Sequence, residues 1–193
     1  MTDTQSARIR EIPYNYTSYS DREIVIRFLG EDSWRIIEKL RGERRTGRSA
    51  RMLFEVLGDM WVIQRNPFVK DDLISNKKRR EALIDALKHR LKQVQLRADG
   101  NTDALRLHRD CLKSINEFEE DLNDKLTLRS RTRRKLGKVT SSNNIDFSGQ
   151  ARVSHSTDAT DWRIAMPFVV IKPDSEDEVA AIVRACIELG LTI

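Results

Sequence analysis

The residues best equipped for chemistry lie in a few short stretches. "GERRTGRS", Gly42 to Ser49, fits the phosphate-cradling spacing G-x-x-x-x-G-K-[ST], except that Arg48 stands in place of the lysine. Such a loop grips phosphate only between a preceding strand and a following helix. Here the preceding "WRIIEKLR" has a helical pattern, and no acidic strand end stands ready for magnesium. The stretch reads as an Arg-rich link between two helices, which rejects nucleotide hydrolysis. "SHSTDATDWR" gathers His155, Asp158, Asp161 and two serines, the residue types of a nucleophile–base relay or a metal site. A relay is defined by geometry, and one loop rarely supplies every member. The aspartates and hydroxyls are expected to cap turns, with Trp162 packed on the following strand.

Two basic runs, "NKKRR" and "RSRTRRKLGK", could contact nucleic-acid phosphates. No aromatic residue is interleaved and neither run holds a base-reading motif, so nucleic acid is not an expected partner. The alternatives are a solvated surface, cations completing a helix C-terminus, and electrostatic docking onto the same polypeptide. "YNYTSY" could stack on a ring, although anchoring the N-terminus to a helical core is the safer reading. Cys111 and Cys186 each sit in a helical pattern with no partner nearby, which supports neither zinc nor a disulfide framework.

These stretches must be carried by helices. Of the 193 residues, 34% are charged and 39% hydrophobic, against about a quarter charged in ordinary globular domains. That mixture suits long solvated helices with one apolar stripe. The net charge of +5 is modest and both signs are interspersed. A reducing cytoplasm is the expected compartment. The opening "MTDTQSARIREIP" has no signal-peptide core, and no run reaches the roughly 18 apolar residues that span a bilayer.

"SDRE" predicts a capping box on Ser20 and Glu23, opening a helix that ends at Gly30. "DSWRIIEKLRGE" predicts a second helix. "ARMLFEVLGDMWVIQR" predicts a third, buried one that stops before Asn66-Pro67. From about 76 to 136 the pattern predicts a protruding antiparallel hairpin around "DGNTD", with Thr102 or Asp103 as the fresh N-cap. Leu83, Leu87, Leu91 and Val94 would form the seam of one arm. Leu105, Leu112, Ile115, Leu122 and Leu126 would form that of the other. Residues 138–165 read as a connection with at most short strands. "FVVI", "KPDS" and "EDEVAAIVRACIEL" then predict a strand, a turn and a helix capped by Ser175 or Asp174, and "LTI" the start of another strand. This incomplete β-α-β unit reads as the front end of a larger enzyme.

The closing stretch resembles the first β-α-β unit of the FAD-binding domain of the vanillyl-alcohol oxidase and p-cresol methylhydroxylase family. The pattern is carried by Asp158-Ala159-Thr160-Asp161-Trp162, Pro167, Val170, Pro173, Ser175, Glu178-Val179 and Ile182-Val183. From "REIPYNYTSYSDREIVIRFLGEDSW" through the hairpin, the chain is similar to the N-terminal domain of uncharacterised function in large bacterial FAD-linked oxidoreductases of the D-lactate dehydrogenase or glycolate oxidase type.

The resemblance implies a mainly α N-terminal domain over 1–137, a connecting segment over 138–165 and a truncated start of an α+β FAD-binding domain over 166–193. It implies a parent that oxidises a small 2-hydroxy acid with FAD, often with an iron-sulfur region. The parent would be cytoplasmic, extending to a peripheral position at the inner membrane face, and the rest of the flavin domain would be this chain's partner. The flavin loop and catalytic residues of the family fall beyond Ile193, so no catalytic, cofactor-binding or metal residue is assigned. The second reading is a non-enzymatic helical interaction module.

Overall fold

Ser20 caps the first described helix as the sequence predicts. In this computed structural model, which describes residues 19–43, 47–157 and 165–193, the Ser20 hydroxyl accepts from the Glu23 N–H, and Glu23 accepts from the Ser20 N–H at 2.8 Å. Helix α1, Asp21–Leu29, ends where Gly30 takes φ 86° and donates to the Ile26 carbonyl. A residue with a side chain resists that backbone region, so glycine makes the break between α1 and α2, Glu31–Gly42.

Helix α3 spans Gly47–Arg65. A further helix that the sequence reading passed over, α4, runs Pro67–Ser75. Asn66 is its cap, accepting from the N–H groups of Phe68 and Val69 at 3.0 and 3.1 Å. Proline fits the first helical position, where no intrahelical donor is needed. The same Asn-Pro pair thus stops one helix and starts the next.

Helices α5, Lys77–Leu96, and α6, Thr102–Leu136, form the expected hairpin. Asp99 (φ 44°) and Gly100 (φ 73°) turn the chain in the left-handed region. The cap of α6 is Asn101, not Thr102 or Asp103. Its side-chain oxygen accepts from Ala104 N–H at 3.0 Å.

Contacts divide the chain into two units. One comprises described residues 19–64 and 72–127, the other 65–71, 128–157 and 165–193. The division falls within α6, after Thr127.

In the first unit the hairpin does not protrude. Ile84, Leu87, Leu91 and Val94 from α5 and Leu107, Cys111, Ile115, Phe118 and Leu122 from α6 share one core with Val25, Trp34, Ile37, Val56, Leu57 and Met60. The seam on α6 is therefore the 107/111/115/118/122 stripe, with Leu112 and Leu126 packed at its margin. Cys111 and Phe118 supply apolar positions that a leucine count overlooks.

In the second unit, β1 (Ile145–Asp146) pairs antiparallel with β2 (Val170–Ile171), Ile145 opposite Ile171. Helix α7, Gly149–Ser154, lies between them in sequence, and α8, Glu176–Glu188, follows β2. Leu136, Ile145, Phe147, Ile182, Ala185 and Cys186 form this unit's core. Residues 191–193 do not continue as a strand. Leu191 N–H bonds back to Cys186 and Gly190 N–H to Ile187, a helix-ending pair that draws Leu191 onto the core. Among the described residues, no helix is long and apolar enough to cross a membrane.

Candidate functional site

A cluster of charges in the second unit is built around Asp71, on α4. Arg129 of α6 pairs with its Oδ1, and the Arg152 guanidinium of α7 reaches the same oxygen at 3.2 Å. Arg152 also donates through Nε to the Pro167 carbonyl at 2.7 Å, holding the residues that lead into β2. Both guanidiniums are largely buried. Burial lowers the Arg152 pKa from its ordinary value; Asp71 opposes the shift and the nearby Arg129 charge adds to it.

Phe147 completes the cluster. The Arg129 and Arg133 guanidinium carbons lie 5.4 and 5.1 Å from its ring centroid, and Phe168 meets it edge-on. Arg129 Nε is buried without a hydrogen-bond partner, and the aromatic face offers it a cation–π contact instead. One turn further along α6, the fully buried Thr132 hydroxyl is also unpartnered. Two guanidiniums on one carboxylate make an internal clamp that ties α4, α6 and α7 together.

Three of the six cations in the basic run at the end of α6 meet their own polypeptide: Arg129 on Asp71, Arg133 on Phe147, and Lys135 on Glu188 of α8. The "NKKRR" run behaves alike within the first unit. Lys77 pairs with Glu81 and Arg79 with Asp72, while buried Arg80 donates to the Leu73 and Ile74 carbonyls at the end of α4.

His155 forms no relay among the described residues. Its Nδ1 lies 2.8 Å from the Ala151 carbonyl and 3.0 Å from the Ser154 hydroxyl. Ser154 and Ser156 donate to the Ala151 and Val153 carbonyls, so all three finish the end of α7. Asp158, Ala159, Thr160, Asp161 and Trp162 lie outside the described residues, as does "YNYT" of the tyrosine-rich patch. The Gly42–Ser49 stretch joins helix α2 to helix α3, so no strand precedes it.

Ser175 occupies the N-cap position of α8 without a side-chain hydrogen bond. Glu178 does the capping work instead, accepting from Asp174 N–H at 3.2 Å and the Thr140 hydroxyl at 2.8 Å. No group of three His, Cys, Asp or Glu residues among those described could hold a metal ion.

Fold and site together define a mainly helical protein with a small two-stranded sheet and an internal arginine clamp. The chain belongs to the family described as protein of unknown function (DUF3683), whose model matches residues 7–120, more than half of its length. No curated protein and no solved structure matches it.

Proposed function

We propose that this chain is the N-terminal segment of an FAD-dependent oxidoreductase acting on a small 2-hydroxy acid such as D-lactate or glycolate. The observation that carries the reading is α8. Ile182, Ala185 and Cys186 bury one face, yet Val179 and Ile187 on the same helix stay 42% and 66% exposed. At about 100° per residue Val179 falls beside Cys186 and Ile187 further round, so the apolar arc of α8 runs on past its buried stripe, as suits a helix that a second layer covers. The strand–turn–helix Val170–Glu188 also carries the family-pattern residues Pro173, Glu178-Val179 and Ile182-Val183.

The described residues do not themselves fit FAD. Pyrophosphate needs close backbone approach from glycines, and 165–193 offers only Gly190, which ends α8. No step of the reaction is therefore assigned to this chain. Bound FAD would supply the hydride acceptor for a 2-hydroxy acid. This chain's residues would build the helical unit and, through Arg152 and Asp71, hold the approach to the flavin fold.

The test reads the coding sequence beyond Ile193 and expresses the continued chain. A glycine-rich stretch there, with flavin retained through gel filtration and reduced by D-lactate or glycolate, supports the reading. A stop codon directly after Ile193 overturns it; flavin retained by residues 1–193 alone overturns only the expectation that these residues do not bind FAD by themselves.

The second reading is a non-enzymatic helical interaction module, which the mainly helical fold suits. Limited proteolysis separates the two. The flavin reading expects cleavage after about Gly149 in the isolated chain, and the module reading expects resistance there.

A further inference from the structure

We propose that the half-open cavity at the tip of the α5–α6 hairpin binds a small organic monoanion, a short-chain carboxylate. The cavity measures about 200 Å³. At roughly 30 Å³ per water-sized group, that is room for about six or seven non-hydrogen atoms. Its lining divides by chemistry. Leu40, Val94, Ala98 and Ala104 supply apolar wall, and Ser49, Arg97, Asp99 and Asn101 supply polar groups.

Arg97 is the anchor. Its hydrogen bond goes to the Met52 sulfur at 3.2 Å, a weak acceptor, and among the described residues no carboxylate pairs with it. Its neighbours in the same unit differ: Arg90 holds Asp59 at 2.6 Å and Arg51 holds Glu55 at 3.1 Å. Arg97 thus keeps most of its donors for a ligand, and a carboxylate is what its planar fork accepts best. Asn101 commits its side-chain oxygen to Ala104 N–H, which leaves its amide NH₂ as a second donor. Ser49 adds a hydroxyl.

Two features narrow the ligand. The apolar wall would bury a short alkyl tail, which inorganic anions lack. Asp99 contributes a negative charge to the lining, which disfavours a doubly charged phosphate. The assignment uses only first-unit residues and does not depend on the flavin reading.

The probe is butanoate, titrated into protein carrying ¹³C-labelled methyl groups and followed by NMR. Saturable shifts are expected at Leu40, Val94, Ala98 and Ala104, with Kd on the order of 1 mM. Arg97→Met should weaken binding by about tenfold or more. Because Arg97 is exposed, the variant should keep the wild-type methyl spectrum, which serves as the folding control. Absence of saturable shifts sinks the proposal, as do shifts that Arg97→Met leaves unchanged. An equal response to inorganic phosphate also overturns it, because the alkyl tail would then contribute nothing.

Discussion

Asp71 is shared by two guanidiniums, and this asymmetry orders what its variants should do. Asp71→Asn leaves Arg129 and Arg152 facing each other without a counter-charge and should cost about 3 kcal/mol, at the lower end for breaking a buried pair. Arg152→Met removes one of two repelling cations, so it should cost less despite losing the bond to Pro167. Urea unfolding of both variants checks the order. The thiols give a second residue-scale prediction. Burial, with a smaller contribution from the Asp110 charge, pushes Cys111 up to about 12, and burial raises Cys186 as well. Neither should react with a disulfide reagent at pH 8 until the chain unfolds. An unfolded thiol titrates near 9.0, so between there and about 12 the unfolded chain sheds a proton that folded Cys111 retains. The Cys111 contribution is fully present below pH 9.0 and declines as the pH rises towards about 12. Cys111→Ala should flatten that alkaline slope in a series of thermal melts, whatever it does to the midpoint.

Among the elements, α4 tests how much a two-residue signal contributes. Asn66→Ala removes the acceptor for two N–H groups and should cost about 1 kcal/mol by denaturant unfolding. The signal was present in the sequence, since Asn before Pro reads as cap and first helical residue as well as a stop. Local chemistry made other elements plain. Ser20 and Glu23 close the capping box, Gly30 breaks α1 from α2, and the hairpin arms follow their apolar spacing. What stayed hidden depends on distance along the chain. Asp71 and Arg129 are 58 positions apart, and Asp71 and Arg152 are 81 apart, so no periodicity links them. Docking of the basic run onto its own polypeptide is one option the sequence offers; which carboxylate it meets is not legible there. Arg80 reads as one more cation of "NKKRR", and only folding shows it buried against two helix-end carbonyls. The cavity beside Arg97 is assembled from four helices and a turn, which sequence spacing alone does not bring together.

For the whole molecule, the wide apolar arc of α8 carries the flavin proposal and a hazard for this chain. Val179 and Ile187 should promote binding of an apolar dye and concentration-dependent association. Val179→Ser with Ile187→Ser should reduce both, measured by dye fluorescence and light scattering, with less than about 1 kcal/mol change in stability because both sites are exposed. A different consequence follows from α6. Its 35 residues make a rod roughly 52 Å long at about 1.5 Å per residue, and the division between the units crosses it after Thr127. One unbroken run of peptide hydrogen bonds therefore samples two separately packed cores, with Leu122 in one and Leu136 in the other. Amide hydrogen exchange along this single helix should show two plateaus of protection with a step near residue 127, so one helix becomes a thermometer for both units. A uniform profile from Leu107 to Leu136 would mean that the two cores open together.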